Sequence, residues 1–278
     1  MYRGLTLGLY EKAMPATLGW QEKLNLAAAA GFDYLELSVD ESEARLKRID
    51  WTKREINDLR GICDKSGVPV RSVCLSAHRK YPLGSRDPSV RARSLEILQK
   101  TVDLSVELGV RIIQLAGYDV YYENGGDDTR KFFEEGLERS VSYAAGAGVV
   151  LAFETMETAF MNTVEKAMQY VQKIRSPYLQ VYPDVGNVTN GAENAIADLR
   201  TGEGHIVAAH LKETLPGIFR DLEFGQGRVD FPSCIRTLFS QGVRRFVCEF
   251  WYDGVSEPSL YLKRNADYVR KMIDGGMA

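Results

Sequence analysis

The chain has 278 residues, 45% of them hydrophobic and 26% charged, with a formal net charge of −3. These values suit one large α/β domain or two small ones, with a substantial core, and the slight acidity gives no electrostatic reason to expect nucleic acid or an anionic membrane as partner. No segment approaches the roughly 18 apolar residues of a membrane span, and the opening MYRGLTLGLYEK is too short and too interrupted by glycine for a secretory leader.

In chain order, LTLGLY predicts a first strand and WQEKLNLAAAA a helix after it. A unit then recurs seven times: a helical stretch ends at a small turn signal, a short β-rich run follows, and the run closes on polar residues. The copies are GFDYLELSVD, GVPVRSVCLS, GVRIIQLAGYD, GVVLAFETME, SPYLQVYPDVGN, GHIVAAHLKE and GVRRFVCEFW. Glycine suits a helix end because it accepts the left-handed conformation without steric cost. The runs are almost continuously apolar in their middles, as strands covered on both faces are.

Between the runs lie segments with apolar residues at three- and four-residue spacing, the mark of an amphipathic helix. WTKREINDLRGICDKS, SVRARSLEILQKTVDLSVEL and TRKFFEEGLERSVSYAAGA come first; TVEKAMQYVQKI, FPSCIRTLFSQ and SLYLKRNADYVRKMI follow. NAIADLRTGE is the weakest of the series. Eight strands alternating with about eight helices predict a (β/α)8 TIM barrel, read as a single α/β domain over residues 1–278. A doubly wound open sheet would need a phosphate-binding glycine fingerprint after the first strand, and LGLYEKAMP has none. Cys63, Cys74, Cys234 and Cys248 lack metal or redox spacing and read as reduced thiols of a cytoplasmic protein.

A barrel of this kind carries its active site at the C-terminal ends of the strands, so the residues closing each run are the candidates. The second run ends near Glu36, the third at His78, and the fourth at Tyr118 and Asp119. The last four deliver Glu154, Asp184, His210 and Glu249, one potential ligand each, with Lys212 two residues beyond His210. Three carboxylates and one imidazole form a mixed O/N set suited to one divalent ion, Mn, Zn, Co or Mg. Such an ion also removes the repulsion that several carboxylates in one recess would suffer. Glu154 and Glu249, from strands five and eight, can approach a substrate carbon from two sides, one removing a proton and the other returning it. That pairing suits an epimerase or a ketose–aldose isomerase, and metal-assisted hydrolysis stays open. Lys12, His78, Arg79 and Lys212 would supply cations for a substrate phosphate. Arg220 lies in the glycine-containing LPGIFRDLEFGQGRVDF, read as a lid beside the sugar site. Tyr10, Tyr118, Tyr121, Tyr122, Phe153 and Trp251 are candidate wall residues.

LGLYEKAMP, LELSVDES, CLSAHRKYPLGS, IIQLAGYDVYY, YPDVGN and HLKET with FGQGRVDF resemble, in order and through nearly the whole chain, the bacterial L-ribulose-5-phosphate (L-xylulose-5-phosphate) 3-epimerases of L-ascorbate and L-xylulose utilisation. The resemblance implies a xylose-isomerase-like TIM barrel with one divalent metal on Glu154, Asp184, His210 and Glu249, and the two glutamates as acid/base pair. It implies a small sugar phosphate as partner, and a homodimer is common among such barrels. In related free-ketose 3-epimerases a histidine three residues past the metal aspartate contacts substrate; here that position is Asn187. Rival expectations are a hexulose-6-phosphate isomerase on the same metal site and a non-catalytic sugar-phosphate-binding protein. A DNA-repair endonuclease fits poorly, because three histidines cannot furnish several zinc sites and the chain is acidic.

Overall fold

The computed structural model describes residues 1–277. Its strands are β1 (Thr6–Tyr10), β2 (Tyr34–Val39), β3 (Val70–Leu75), β4 (Ile112–Ala116), β5 (Val150–Glu154), β6 (Leu179–Val181), β7 (Ala209–Leu211) and β8 (Arg245–Cys248). The helices are α1 (Trp20–Ala29), α2 (Glu43–Leu46), α3 (Lys53–Ser66), α4 (Pro88–Leu108), α5 (Asp127–Gly146), α6 (Val164–Ile174), α7 (Val185–Gly191), α8 (Ala195–Thr201), α9 (Phe231–Ser240) and α10 (Pro258–Met277).

All strand pairs are parallel, in the order β6-β5-β4-β3-β2-β1-β8-β7. Isolated parallel bridges Val181↔Ile206 and Asp184↔His210 join β6 to β7 and close the ring. The arrangement is the predicted TIM barrel. Each of the eight anticipated runs forms a strand, but β6 and β7 are only three residues long, because the chain bends out early at Pro183 and enters late after Ala208. The short helices α2 and α7 were not anticipated. Asp184 caps the latter, its Oδ1 accepting from Asn187 N at 2.8 Å.

Local signals explain the frame. Thr52 and Glu55 cap the start of α3 reciprocally, and Gly67 ends it in the left-handed conformation at φ 73°. Leucine and valine side chains facing the helices, such as Leu7, Leu9, Leu35, Leu37 and Val73, are completely or almost completely buried. Each contributes about 1.5–3 kcal/mol relative to exposure. The inward positions of the strands form a second, smaller cluster containing Tyr34, Cys74, Ile112, Ala152, Tyr182 and Val247. Tyr34 fills the space left by Gly8, where a Cβ would stand 2.5 Å from its ring. Toward the C-terminal ends these inward positions turn polar: Glu36, Ser72, Gln114, Glu154 and His210, all buried. No helix among the described residues is long and apolar enough to cross a membrane. The four cysteines are free and buried.

Candidate active site

Parallel pairing brings the ends of β5 to β8 to one mouth, and Glu154, Asp184, His210 and Glu249 meet there. Each offers one ligand atom, and the four atoms lie within 4.8 Å of one another, all on buried residues. His210 Nδ1 is 3.0 Å from Glu154 Oε1 and 2.9 Å from Glu249 Oε2. Lys212 Nζ lies 2.7 Å from Asp184 Oδ2 and 3.8 Å from Glu249 Oε2. Gln114 donates to Glu154 Oε2 from the neighbouring strand.

The surroundings drive the proton affinities of these groups apart. Burial raises Glu154, and the nearby Glu249 charge adds to the effect. Burial also acts to raise Glu249, but Lys212 and His210 outweigh it and hold its carboxyl well below the usual range. Asp184 is pushed up to about 8 by burial, against the pull of Lys212 and with the Glu249 charge reinforcing the rise. For His210 burial favours the neutral ring, yet three facing carboxylates, Glu36 foremost, raise it well above its ordinary value.

Above this floor a narrow pocket is lined by Glu154, Glu249 and Lys212, and also by Lys12, Arg79 and Arg220. Lys12 is held by Asp40 at 2.6 Å. Arg79 stacks over the Tyr121 ring at 4.9 Å, and Arg220 Nη2 reaches Glu157 at 3.3 Å. Tyr10 and Trp251 form apolar wall and pack edge to face, 5.9 Å between ring centres. Tyr118 and Tyr121 instead donate to Glu157, at 2.6 and 3.3 Å. Phe153 packs outside the barrel against Phe133 and Tyr170, and Tyr122 is exposed.

Two expected substrate contacts lie elsewhere. His78 sits in a 3-10 turn with Nε2 3.2 Å from the Ser94 carbonyl of α4. Burial pulls its pKa down to about 4, so it is a neutral packing residue and no cation for a phosphate. Asn187 is buried below the pocket, its Nδ2 donating to the Thr155 carbonyl at 2.7 Å. With its backbone N–H on Asp184, it shapes that carboxylate and does not line the pocket.

The loop that carries Phe219 and Arg220 over the pocket is clasped by buried Glu213. This carboxylate accepts from Gly225 N at 2.9 Å, Val229 N at 3.1 Å and Thr214 N at 3.2 Å. Gly227 has to be glycine there, since a Cβ would stand 2.3 Å from both Glu213 Oε1 and Thr214 O. Glu157, Glu213 and Phe219 were not singled out in sequence, although the two glutamates close the same runs that deliver Glu154 and His210.

The model of the family described as "Xylose isomerase-like TIM barrel" matches residues 24–272. The chain is 44% identical over 275 residues to the L-ribulose-5-phosphate 3-epimerase UlaE of Salmonella paratyphi A, covering 98% of this chain and 97% of that protein. It belongs to the L-ribulose-5-phosphate 3-epimerase family. The UlaE protein of Shigella boydii serotype 18 matches at 43% identity with the same coverage. A crystal structure of the D-allulose 3-epimerase of Methylomonas sp. in complex with D-allulose superposes with a TM-score of 0.79 at 18% identity, over 97% of this chain and 96% of that one. At that identity the likeness speaks for the barrel alone. As a member of the 3-epimerase family the chain is an isomerase, a carbohydrate epimerase.

Proposed function

We propose that this protein is a metal-dependent 3-epimerase that interconverts L-ribulose 5-phosphate and L-xylulose 5-phosphate. The observation that carries the reading is the meeting of three carboxylates and an imidazole within 4.8 Å at the floor of a pocket ringed by cations. A divalent ion fits that donor set. Glu249 Oε2 is buried and receives no directed hydrogen bond, although nitrogen atoms of His210 and Lys212 lie near it. Glu154, Asp184, His210 and Glu249 would hold the ion, which supplies charge for the enediolate that forms when C3 loses its proton.

The protein's own groups do the rest. One of Glu154 and Glu249 takes the C3 proton and the other returns one from the opposite face; the reverse reaction exchanges their roles. Lys12, Arg79 and Arg220 supply positive charge for a phosphate, and Tyr10 and Trp251 exclude water from the reacting carbon. A homodimer in the cytoplasm, acting in L-ascorbate or pentose catabolism, belongs to the same reading; light scattering tests the dimer.

The experiment is turnover of both pentulose phosphates in D2O. Deuterium at C3 of the product is expected, and product without it excludes proton transfer at that carbon. A parallel assay with hexulose 6-phosphates is expected to show far slower conversion; a faster one would move the assignment to 1,2-isomerisation.

A further inference from the structure

Glu36 ends up in the barrel interior, fully buried, yet it does not line the pocket. Both of its oxygens are engaged. Oε1 is 2.6 Å from His210 Nε2, while Oε2 accepts from Ser72 Oγ at 2.7 Å and Tyr182 OH at 2.9 Å. These three partners come from β7, β3 and the end of β6, so the carboxylate ties distant strands together under the site. A carboxylate only accepts. At 2.6 Å from it, Nε2 has to present a hydrogen, since a bare lone pair there would face another.

We propose that Glu36 is the positioning residue for His210: by taking the Nε2–H bond it fixes the imidazole tautomer and commits Nδ1 as the ligand atom. This inference rests on the metal-dependent reading above. Nδ1 is the nitrogen that faces Glu154 Oε1 and Glu249 Oε2. With an ion held among these oxygens, the single ring hydrogen stays on Nε2 and Nδ1 turns its lone pair to the ion; without one, Nδ1 also carries a hydrogen toward the two carboxylates. The Tyr182 ring, 4.9 Å from the imidazole centre and tilted by 62°, helps set the plane of the ring. A ring flip would break the Glu36 bond between two fully buried side chains, and buried bonds of this kind are the stronger for it. Outer partners of metal-bound histidines act in this manner on ligand orientation and basicity.

Two measurements test the proposal. The first is zinc affinity of the chelator-stripped chain by competition with a chromophoric chelator, for wild type, Glu36→Gln and Glu249→Gln. Glu36→Gln is expected to bind zinc about 10- to 100-fold more weakly while keeping its circular dichroism. Affinity within about threefold of wild type, with Glu249→Gln clearly weakened, overturns the role of Glu36 and leaves the metal reading standing. A wild-type chain that binds no zinc, or a Glu249→Gln variant that binds as wild type does, overturns the metal reading and this inference with it. The second needs no variant: long-range proton–nitrogen spectra of the zinc-loaded, histidine-labelled protein, in which there are three histidines to assign. One ring with Nε2 protonated and Nδ1 shifted by zinc is expected; His210 protonated at Nδ1 overturns the inference.

Discussion

Glu11 lies directly before the pocket lysine Lys12 and is fully buried. Arg48 pairs with both of its oxygens, Nη2 standing 2.7 Å from Oε1. Lys23 Nζ is 3.1 Å from Oε1, and Ser38 N donates to Oε2 at 3.1 Å. Burial by itself would raise this carboxyl; the bonds to Arg48 and the charge of Lys23 outweigh it and bring the pKa from 4.5 to about 2. A drop of that size corresponds to about 3 kcal/mol of stability at neutral pH. Because the folded value is the depressed one, that contribution is complete above pH 4.5 and is lost as the pH falls toward 2. Glu11→Gln removes it and leaves two buried cations without their counter-charge, a loss of about 3–5 kcal/mol. The lower end is expected, since Arg48 keeps the Ser38 carbonyl at 2.7 Å and the faces of Trp20 and Trp51. Urea unfolding of both proteins at several pH values between 7 and 3 reads the effect. The gap between wild type and Glu11→Gln should be widest at pH 7 and narrow steadily below 4.5. A gap independent of pH, or one under about 0.5 kcal/mol at neutrality, would refute the reasoning.

Other expectations follow from the site. Glu154→Gln and Glu249→Gln should each abolish epimerisation while leaving the unfolding midpoint of the metal-free chain near that of wild type; near-normal turnover in either removes that residue from the acid/base pair. Lys212→Met takes away a cation that holds Glu249 low, so the acid limb of the kcat/KM profile should move to higher pH; an unmoved limb would show that Lys212 does not tune the base. Gly227→Ala forces Glu213 out of its clasp and should lower kcat/KM by about tenfold or more through misplaced loop groups, with little change in global stability; unaltered kinetics would mean the loop accommodates the methyl group. Chelation should abolish activity, and Mn²⁺ or Zn²⁺ should restore it; at a hundredfold excess over Kd the ion should add about 2.7 kcal/mol to unfolding. An activity indifferent to chelators contradicts the metal reading.

The barrel was legible because its signals are local and repeated: glycine at helix ends, apolar runs, and helical spacing between them. The four cluster residues were legible for the same reason, since each closes a run and parallel pairing carries run ends to one mouth. What stayed hidden depends on side-chain direction. His78 closes the third run as plainly as Glu154 closes the fifth, but a 3-10 turn after Leu75 sends it into α4. Asn187 occupies the first turn of α7, a helix too short to show a period. Glu36 reads in sequence as lying near the end of the second run but is the third residue of β2, and its importance comes from an imidazole 174 positions away. The clasp of Glu213 around its loop likewise joins residues whose spacing carries no period.

The seam between β6 and β7 divides the cluster evenly. Glu154 and Asp184 stand on one side, His210 and Glu249 on the other, and the Asp184↔His210 bridge is itself one of the few links across it. Neither half alone offers more than two of the four donors. On the metal-dependent reading, an ion held by all four would be captured only after the ring has closed, and would then act as a clasp over the join. An incompletely folded chain would offer only two-donor fragments, so on that reading metallation would report that folding is finished.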